Sequence, residues 1–170
     1  NDQGKLDDAV TSYGKAIAIK PDLAEAHYNL GNVLQDQEDV VASYRKAIAI
    51  KPNFAAAHSN LGLALLKQGK LEDAIASYRK AIAIKPDLAE AYYNLGNALL
   101  QQGELKDAVA SYSKAIAIKP DLSRAYNNLK LAIKALMFSE IDQDYTWETV
   151  ANRFNDDALA SINFALQQFY

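Results

Sequence analysis

Two histidines and no cysteine leave little for covalent or metal chemistry in this chain of 170 residues. Without cysteine there are no disulfides, no thiolate metal sites and no thiol nucleophiles. His27 and His58 are the only imidazoles, and the sequence contains neither a glycine-rich phosphate loop nor a His-Glu-x-x-His zinc motif. Carboxylates are scattered, with no pair singled out. No catalytic residue, no metal ligand and no cofactor is assigned, and a non-enzymatic protein is expected. What recurs instead is an amide: Asn29, Asn60, Asn94 and Asn128 follow one another at intervals of 31, 34 and 34 residues. Asparagine carries both donors and an acceptor, which suits the backbone of another peptide. One such hydrogen bond contributes only about 0.5–1.5 kcal/mol net, so a row of them must act together.

The elements that place this row are repeats. The string Lys-Ala-Ile-Ala-Ile-Lys-Pro occurs four times, ending at Pro21, Pro52, Pro86 and Pro120, with the same 31, 34 and 34 spacing. Within each unit apolar residues fall at helical spacing in two blocks. Tyr92, Leu95 and Leu99 make one, and Leu105, Ala108, Val109, Tyr112 and Ile116 the other. A glycine between the blocks stops the first helix, and Lys-Pro-Asp stops the second, because proline cannot continue a helix. Asp22, Asn53 and Asp87 are expected to cap the helices that follow. First helices are predicted at about 23–36, 54–68, 88–102 and 122–138, and second helices at about 5–19, 39–50, 71–84 and 105–118. Gly62, Gly96, Ala74 and Ala108 are small where two helices must approach closely. One hairpin cannot bury both faces, so neighbours must stack.

The recurring set His58, Leu61, Gly62, Leu65, Ala74, Tyr78, Ala81 and Pro86, repeated as Tyr92, Leu95, Gly96, Leu99, Ala108, Tyr112, Ala115 and Pro120, resembles the tetratricopeptide repeat over residues 1–135. The near-identical units and Lys-Pro-Asp joints resemble bacterial, cyanobacterial-like arrays. The resemblance implies an all-α fold, an α-solenoid of helical hairpins forming a right-handed superhelix. It also implies a scaffold that binds a peptide or protein in a concave groove lined by the first helices. Related arrays use asparagine at this position as a ladder along a bound peptide. The groove set is then Asn29, Asn60, Asn94 and Asn128, with Tyr28, Tyr93, Asn32, Asn97 and Leu63. The alternative role for the asparagines is to brace the adjacent helix across the repeat interface. A second family mode grips a terminal carboxylate with asparagine plus Lys or Arg, and here only Lys67, Arg124 and Lys134 are placed to supply the cation. His27 and His58 share one repeat position with Tyr92 and Tyr126 and are expected to pack as half-buried rings.

The organisation departs from strict repetition in three places. Residues 1–21 supply only the second helix of a unit, followed by units at 22–52, 53–86 and 87–120 and a last first-type helix at 121–138. Leu6, Val10, Tyr13 and Ile17 therefore form a stripe short of cover, open to self-association. The unit 22–52 is three residues short, the missing piece matching Gly-Lys-Leu near 37–38, so that either its turn is shortened or those residues are left out of the sequence given. Beyond the array, 139–170 carries new apolar stripes that include Trp147, Phe154 and Phe169, expected to form C-terminal capping or docking helices. Self-assembly through these surfaces, or service as a recruiting arm of a larger enzyme such as a glycosyltransferase, are the alternative functions. A net charge of −3 gives no basic face for nucleic acid, no apolar run approaches the ~20 residues of a membrane span, and a cytoplasmic location is expected.

Overall fold

Apolar residues three and four positions apart turn each block into a helix with one buried stripe. The computed structural model describes residues 2–139, which form eight helices: α1 (Asp2–Ile19), α2 (Ala24–Val33), α3 (Gln37–Ile50), α4 (Ala55–Lys67), α5 (Leu71–Ile84), α6 (Ala89–Gln102), α7 (Leu105–Ile118) and α8 (Ser123–Ser139). They fall in two compact units, Asn1–Pro86 and Asp87–Tyr170. In the first, α1 packs on α2, α2 and α3 form a hairpin, and α3 packs on α4 of the hairpin α4–α5. In the second, α6 and α7 form a hairpin and α8 packs on α7 and, more lightly, on α6. The expected segment from residue 140 on, with Trp147, Phe154 and Phe169, lies outside the described residues.

The core of each hairpin is a tyrosine laid on a glycine. Tyr44, Tyr78 and Tyr112 are buried on the second helices. A Cβ on Gly31 would stand 2.7 Å from Cε1 of Tyr44, on Gly62 2.7 Å from that of Tyr78, and on Gly96 2.6 Å from that of Tyr112. No side chain tolerates such a contact with a ring that is itself fully packed. Ala47, Ala81 and Ala115 are buried one helical turn further on, so small residues keep the two axes close.

Helix ends follow two rules. Gly69 and Gly103 adopt φ of 73° and 85°, and the chain reverses there with bonds from Lys70 N to Leu65 O (2.9 Å) and from Glu104 N to Leu99 O (2.9 Å). This is the glycine-terminated helix stop, which uses a left-handed conformation closed to most side chains. After the second-type helices, Lys-Pro-Asp-Leu and its counterpart Lys51-Pro-Asn-Phe54 fold as tight turns, with Leu23 N bonded to Lys20 O, Phe54 N to Lys51 O and Leu122 N to Lys119 O. That turn moves the helix start one residue beyond the expected caps. Leu23, Phe54 and Leu88 occupy the cap position and offer no side-chain hydrogen bond, so Asp22, Asn53 and Asp87 do not cap as expected.

The shortened unit is also built differently from its reading. The connection α2–α3 is Leu34–Asp36, as long as the Gln68–Lys70 connection of the next hairpin, whereas α2 has 10 residues against 13 in α4. The shortfall is a lost last turn of α2 and not a lost turn between helices. Asp36 replaces the glycine stop by capping α3, its side chain accepting from Glu38 N (2.9 Å) and Asp39 N (3.2 Å). The register holds, because Gly31 still meets Tyr44.

Gly62→Ala and Gly96→Ala are expected to destabilise the protein by about 1–3 kcal/mol each. Gly14→Ala, whose Cβ meets nothing within 4 Å in mid-α1, is expected to stabilise it by up to about 1 kcal/mol. Thermal unfolding followed by far-UV circular dichroism separates the two signs, and equal effects would contradict the packing described.

Candidate functional site

Laying the tyrosine ring on glycine carries its hydroxyl one residue further along the first helix. In the first unit that residue is Asn32, and Tyr44 Oη donates to its Oδ1 at 2.9 Å. Asn60, from α4, reaches back to the same oxygen, its Nδ2 donating to Asn32 Oδ1 at 3.0 Å and to Tyr28 Oη at 3.3 Å. The second unit repeats the arrangement. Tyr112 Oη donates to Asn97 Oδ1 at 2.8 Å. Asn128 Nδ2, from α8, donates to Asn97 Oδ1 at 2.8 Å and to Tyr93 Oη at 3.3 Å. The rings lean on each other in both units, Tyr28 on Tyr44 with centroids 5.9 Å apart and Tyr93 on Tyr112 with centroids 6.0 Å apart. Each cluster therefore ties the first helix, its own second helix and the next first helix together.

Burial pushes the Tyr112 hydroxyl up to about 12 and raises Tyr44 as well, so both remain protonated donors at neutral pH. The middle hairpin departs from this scheme. Leu63 stands where Asn32 and Asn97 stand, and Tyr78 Oη is buried with no hydrogen-bond partner among the described residues. Desolvation raises its pKa too.

The predicted groove residues thus divide. Asn32, Asn60, Asn97, Asn128, Tyr28 and Tyr93 come together in two clusters, three in each unit. Asn29 and Asn94 are half-exposed and make no side-chain hydrogen bond among the described residues. Leu63 is exposed, as is Leu131 at the corresponding place in α8. The cations divide as well. Arg124 pairs with Glu90 and lies over the Tyr93 ring, 4.6 Å from its centroid. Lys51 bonds Glu25 at 2.8 Å and holds its carboxyl below the usual carboxylate range. Leu6, Val10, Tyr13 and Ile17 on α1 are all half-buried.

Tyr44 and Tyr112 were absent from the expected site because their spacing marks them as core. The signal was the residue type: a buried tyrosine, unlike phenylalanine, needs a partner for its hydroxyl. The histidines do pack as rings. Nε2 of His27 donates to the Pro21 carbonyl (3.0 Å) and Nε2 of His58 to the Pro52 carbonyl (2.9 Å), which fastens each first helix to the turn before it. Among the described residues no group of three or more His, Asp or Glu is placed to hold a metal ion, and no helix is long and apolar enough to cross a membrane.

Comparison with known proteins follows the same pattern. A family model described as "TPR repeat" matches residues 1–38, 34–69 and 64–103, and one described as "Tetratricopeptide repeat" matches residues 89–122. Among solved structures, MamA is 28% identical with a TM-score of 0.77, over 98% of this chain and 90% of that one. YrrB, described as a TPR protein with an unusual peptide-binding site, is 20% identical with a TM-score of 0.70, over 98% of this chain and 79% of that one. The first TPR of Spaghetti (RPAP3), solved bound to an HSP90 peptide, is 21% identical with a TM-score of 0.66, over 67% of this chain and 93% of that one. A search of curated protein sequences finds no match.

The hydroxyls give a direct test of the cluster. Tyr112→Phe is expected to cost about 0.5–1.5 kcal/mol, the net value of one hydrogen bond. Tyr78→Phe, which deletes an unpaired buried hydroxyl, is expected to be neutral or stabilising. Chemical denaturation of both variants measures the difference, and equal losses would contradict the assignment.

Proposed function

The chain belongs to the tetratricopeptide repeat family, an α-solenoid of helical hairpins, and on that premise we propose that it is an interaction scaffold whose first helices hold a segment of another polypeptide. The observation that carries this reading is the hydrogen-bonding capacity left over once the clusters are formed. Asn32 and Asn97 spend their Oδ1 atoms on the clusters and keep their Nδ2 donors. Asn60 and Asn128 spend Nδ2 and keep Oδ1. Asn29 and Asn94 keep both. In each unit an unspent donor on one first helix and an unspent acceptor on the next occur beside an exposed leucine, Leu63 in the first and Leu131 in the second, a combination suited to an extended backbone with apolar side chains. The peptide-bound RPAP3 domain and the peptide-binding site of YrrB support the same direction by likeness of fold.

The proposal divides the asparagines by job. Asn60 and Asn128 brace one hairpin against the next and present a fixed acceptor. Asn29 and Asn94 make no side-chain hydrogen bond among the described residues and are reserved for the ligand. The braced amides are pre-oriented, so less side-chain entropy is lost when a segment binds.

The test uses peptides selected by display against the intact chain. Asn29→Ala and Asn94→Ala are each expected to weaken the selected peptides by about two- to tenfold, the scale of one hydrogen bond, with helicity and melting temperature unchanged. Affinity that survives both substitutions would overturn the reading.

A further inference from the structure

The face of α2 turned away from Tyr28 and Asn32 is open. His27, Leu30 and Leu34 lie there at helical spacing and floor a cavity of about 610 Å³ between α1 and α3, which both pack on α2. Leu30 and Leu34 are only half-buried, and so is Val10 on the α1 wall. At the corresponding places of the next two first helices, Leu61, Leu65, Leu95 and Leu99 are buried. The first hairpin therefore carries a groove on the side opposite its amide cluster, within the range of about 300–1,000 Å³ that ligand sites occupy.

Gly14 opens the α1 wall. It stands where α3 and α5 carry Arg45 and Arg79. Glycine weakens a helix interior relative to alanine, and no packing among the described residues requires it, since a Cβ there would meet no atom within 4 Å. With Ala42 and Ser43 on the α3 wall, it leaves both sides low enough for another backbone to come close. Ser43 is the independent sign of a missing partner. Ser12, Ser77 and Ser111 hold the same repeat position, and each hydroxyl donates to the carbonyl four residues earlier at 2.8 Å. Ser43 is 8% exposed and lines the groove, and its hydroxyl makes no hydrogen bond among the described residues. A hydroxyl held there without a partner favours a ligand that supplies one.

Charge fixes the kind of ligand. Asp39 and Lys46 line the groove from α3, and neither makes an ion pair among the described residues. They are seven residues apart, two helical turns or roughly 10 Å. A helix lying along the groove meets both with charges of its own at that spacing. Running opposite to α1 and α3 sets its dipole against theirs and puts its earlier charge beside Lys46. The chain's own second helices repeat the order acidic then basic, as Asp73 with Lys80 and Asp107 with Lys114. Between those charges they carry only Ala76 and Ser77, or Ala110 and Ser111, too small to fill the cavity. The groove thus fits a different chain better than a second copy.

We propose that the groove between α1 and α3 seats a helix of a second protein, apolar on the facing stripe, with an acidic residue opposite Lys46 and a basic residue seven positions later opposite Asp39. This surface is separate from the asparagine row on the first helices, so both can be occupied at once.

The probe is a display library of helical peptides of about 20 residues, long enough to hold a helix and randomised on one face. It is selected on the intact chain and depleted on Gly14→Arg, which gives α1 the residue that α3 and α5 carry and whose folding is checked by circular dichroism. The surviving peptides are expected to carry an apolar stripe with an acidic residue and, seven positions later, a basic one. Lys46→Glu is expected to weaken them by about two- to fivefold, the scale of one exposed ion pair, and changing the acidic residue of the peptide to lysine to restore binding. Asn29→Ala and Asn94→Ala are expected to leave their affinity unchanged. No peptide surviving the depletion, survivors without the charge order, unchanged binding to Lys46→Glu, or weakened binding to Asn29→Ala and Asn94→Ala would each overturn the proposal. The asparagine row keeps its own test, since peptides bound there are the ones that Asn29→Ala and Asn94→Ala weaken.

Discussion

A tyrosine ring pressed against a glycine backbone is the contact on which this protein depends. In the hairpins α2–α3, α4–α5 and α6–α7 the second helix brings its ring to within the distance where a single added carbon on the first helix would collide. The contact is non-negotiable in both directions, because the ring is fully buried and the glycine faces it without a side chain. It fixes the register of the hairpin, and with the register it fixes where the hydroxyl goes. That hydroxyl lands on the residue after the glycine. Where this residue is asparagine, as at Asn32 and Asn97, a polar cluster forms that also catches an asparagine from the next helix. Packing within a hairpin and bracing between hairpins are consequences of one contact.

The middle hairpin shows what happens when the two halves of that arrangement separate. Gly62 and Tyr78 keep the packing, but Leu63 removes the acceptor, and a hydroxyl is left buried with no partner among the described residues. An unpaired buried polar group of this kind costs about 1–3 kcal/mol, and Leu63 itself is exposed. The first hairpin makes the complementary point. Three residues are lost from the end of α2, and the glycine stop goes with them, yet the ring contact survives and Asp36 takes over the turn.

Much of this was legible in the sequence. The repeat, the helix pairs and the close approach at glycine followed from spacing, because those signals are periodic and local. Other parts were hidden for physical reasons. The caps lie elsewhere than the sequence suggests because the four-residue turn beginning Lys-Pro consumes one more residue than a simple Pro-Asp start, putting Leu23, Phe54 and Leu88 in the cap position. The three-residue shortfall in the first full unit reads as a change in its turn, since aligned letters do not distinguish a shorter connection from a shorter helix. The asparagine row was read as a ligand ladder or as a brace. Four positions that look equivalent in sequence differ in structure, because Asn60 and Asn128 meet Tyr and Asn on the preceding first helix, whereas Asn29 and Asn94 make no side-chain hydrogen bond among the described residues. For Asn60 and Asn128 the partners are residues one repeat earlier, which single-column reading does not reveal.

The most direct measurement is the set of nuclear Overhauser contacts between glycine α protons and tyrosine ring protons. If the ring contact organises every hairpin, Gly31 meets the ring of Tyr44, Gly62 that of Tyr78 and Gly96 that of Tyr112, with the glycine signals moved upfield by the ring current. The shortened hairpin decides the matter. A missing contact between Gly31 and Tyr44, with the other two present, would mean that the lost turn shifts the register of α3, and that the Tyr44–Asn32–Asn60 cluster does not form.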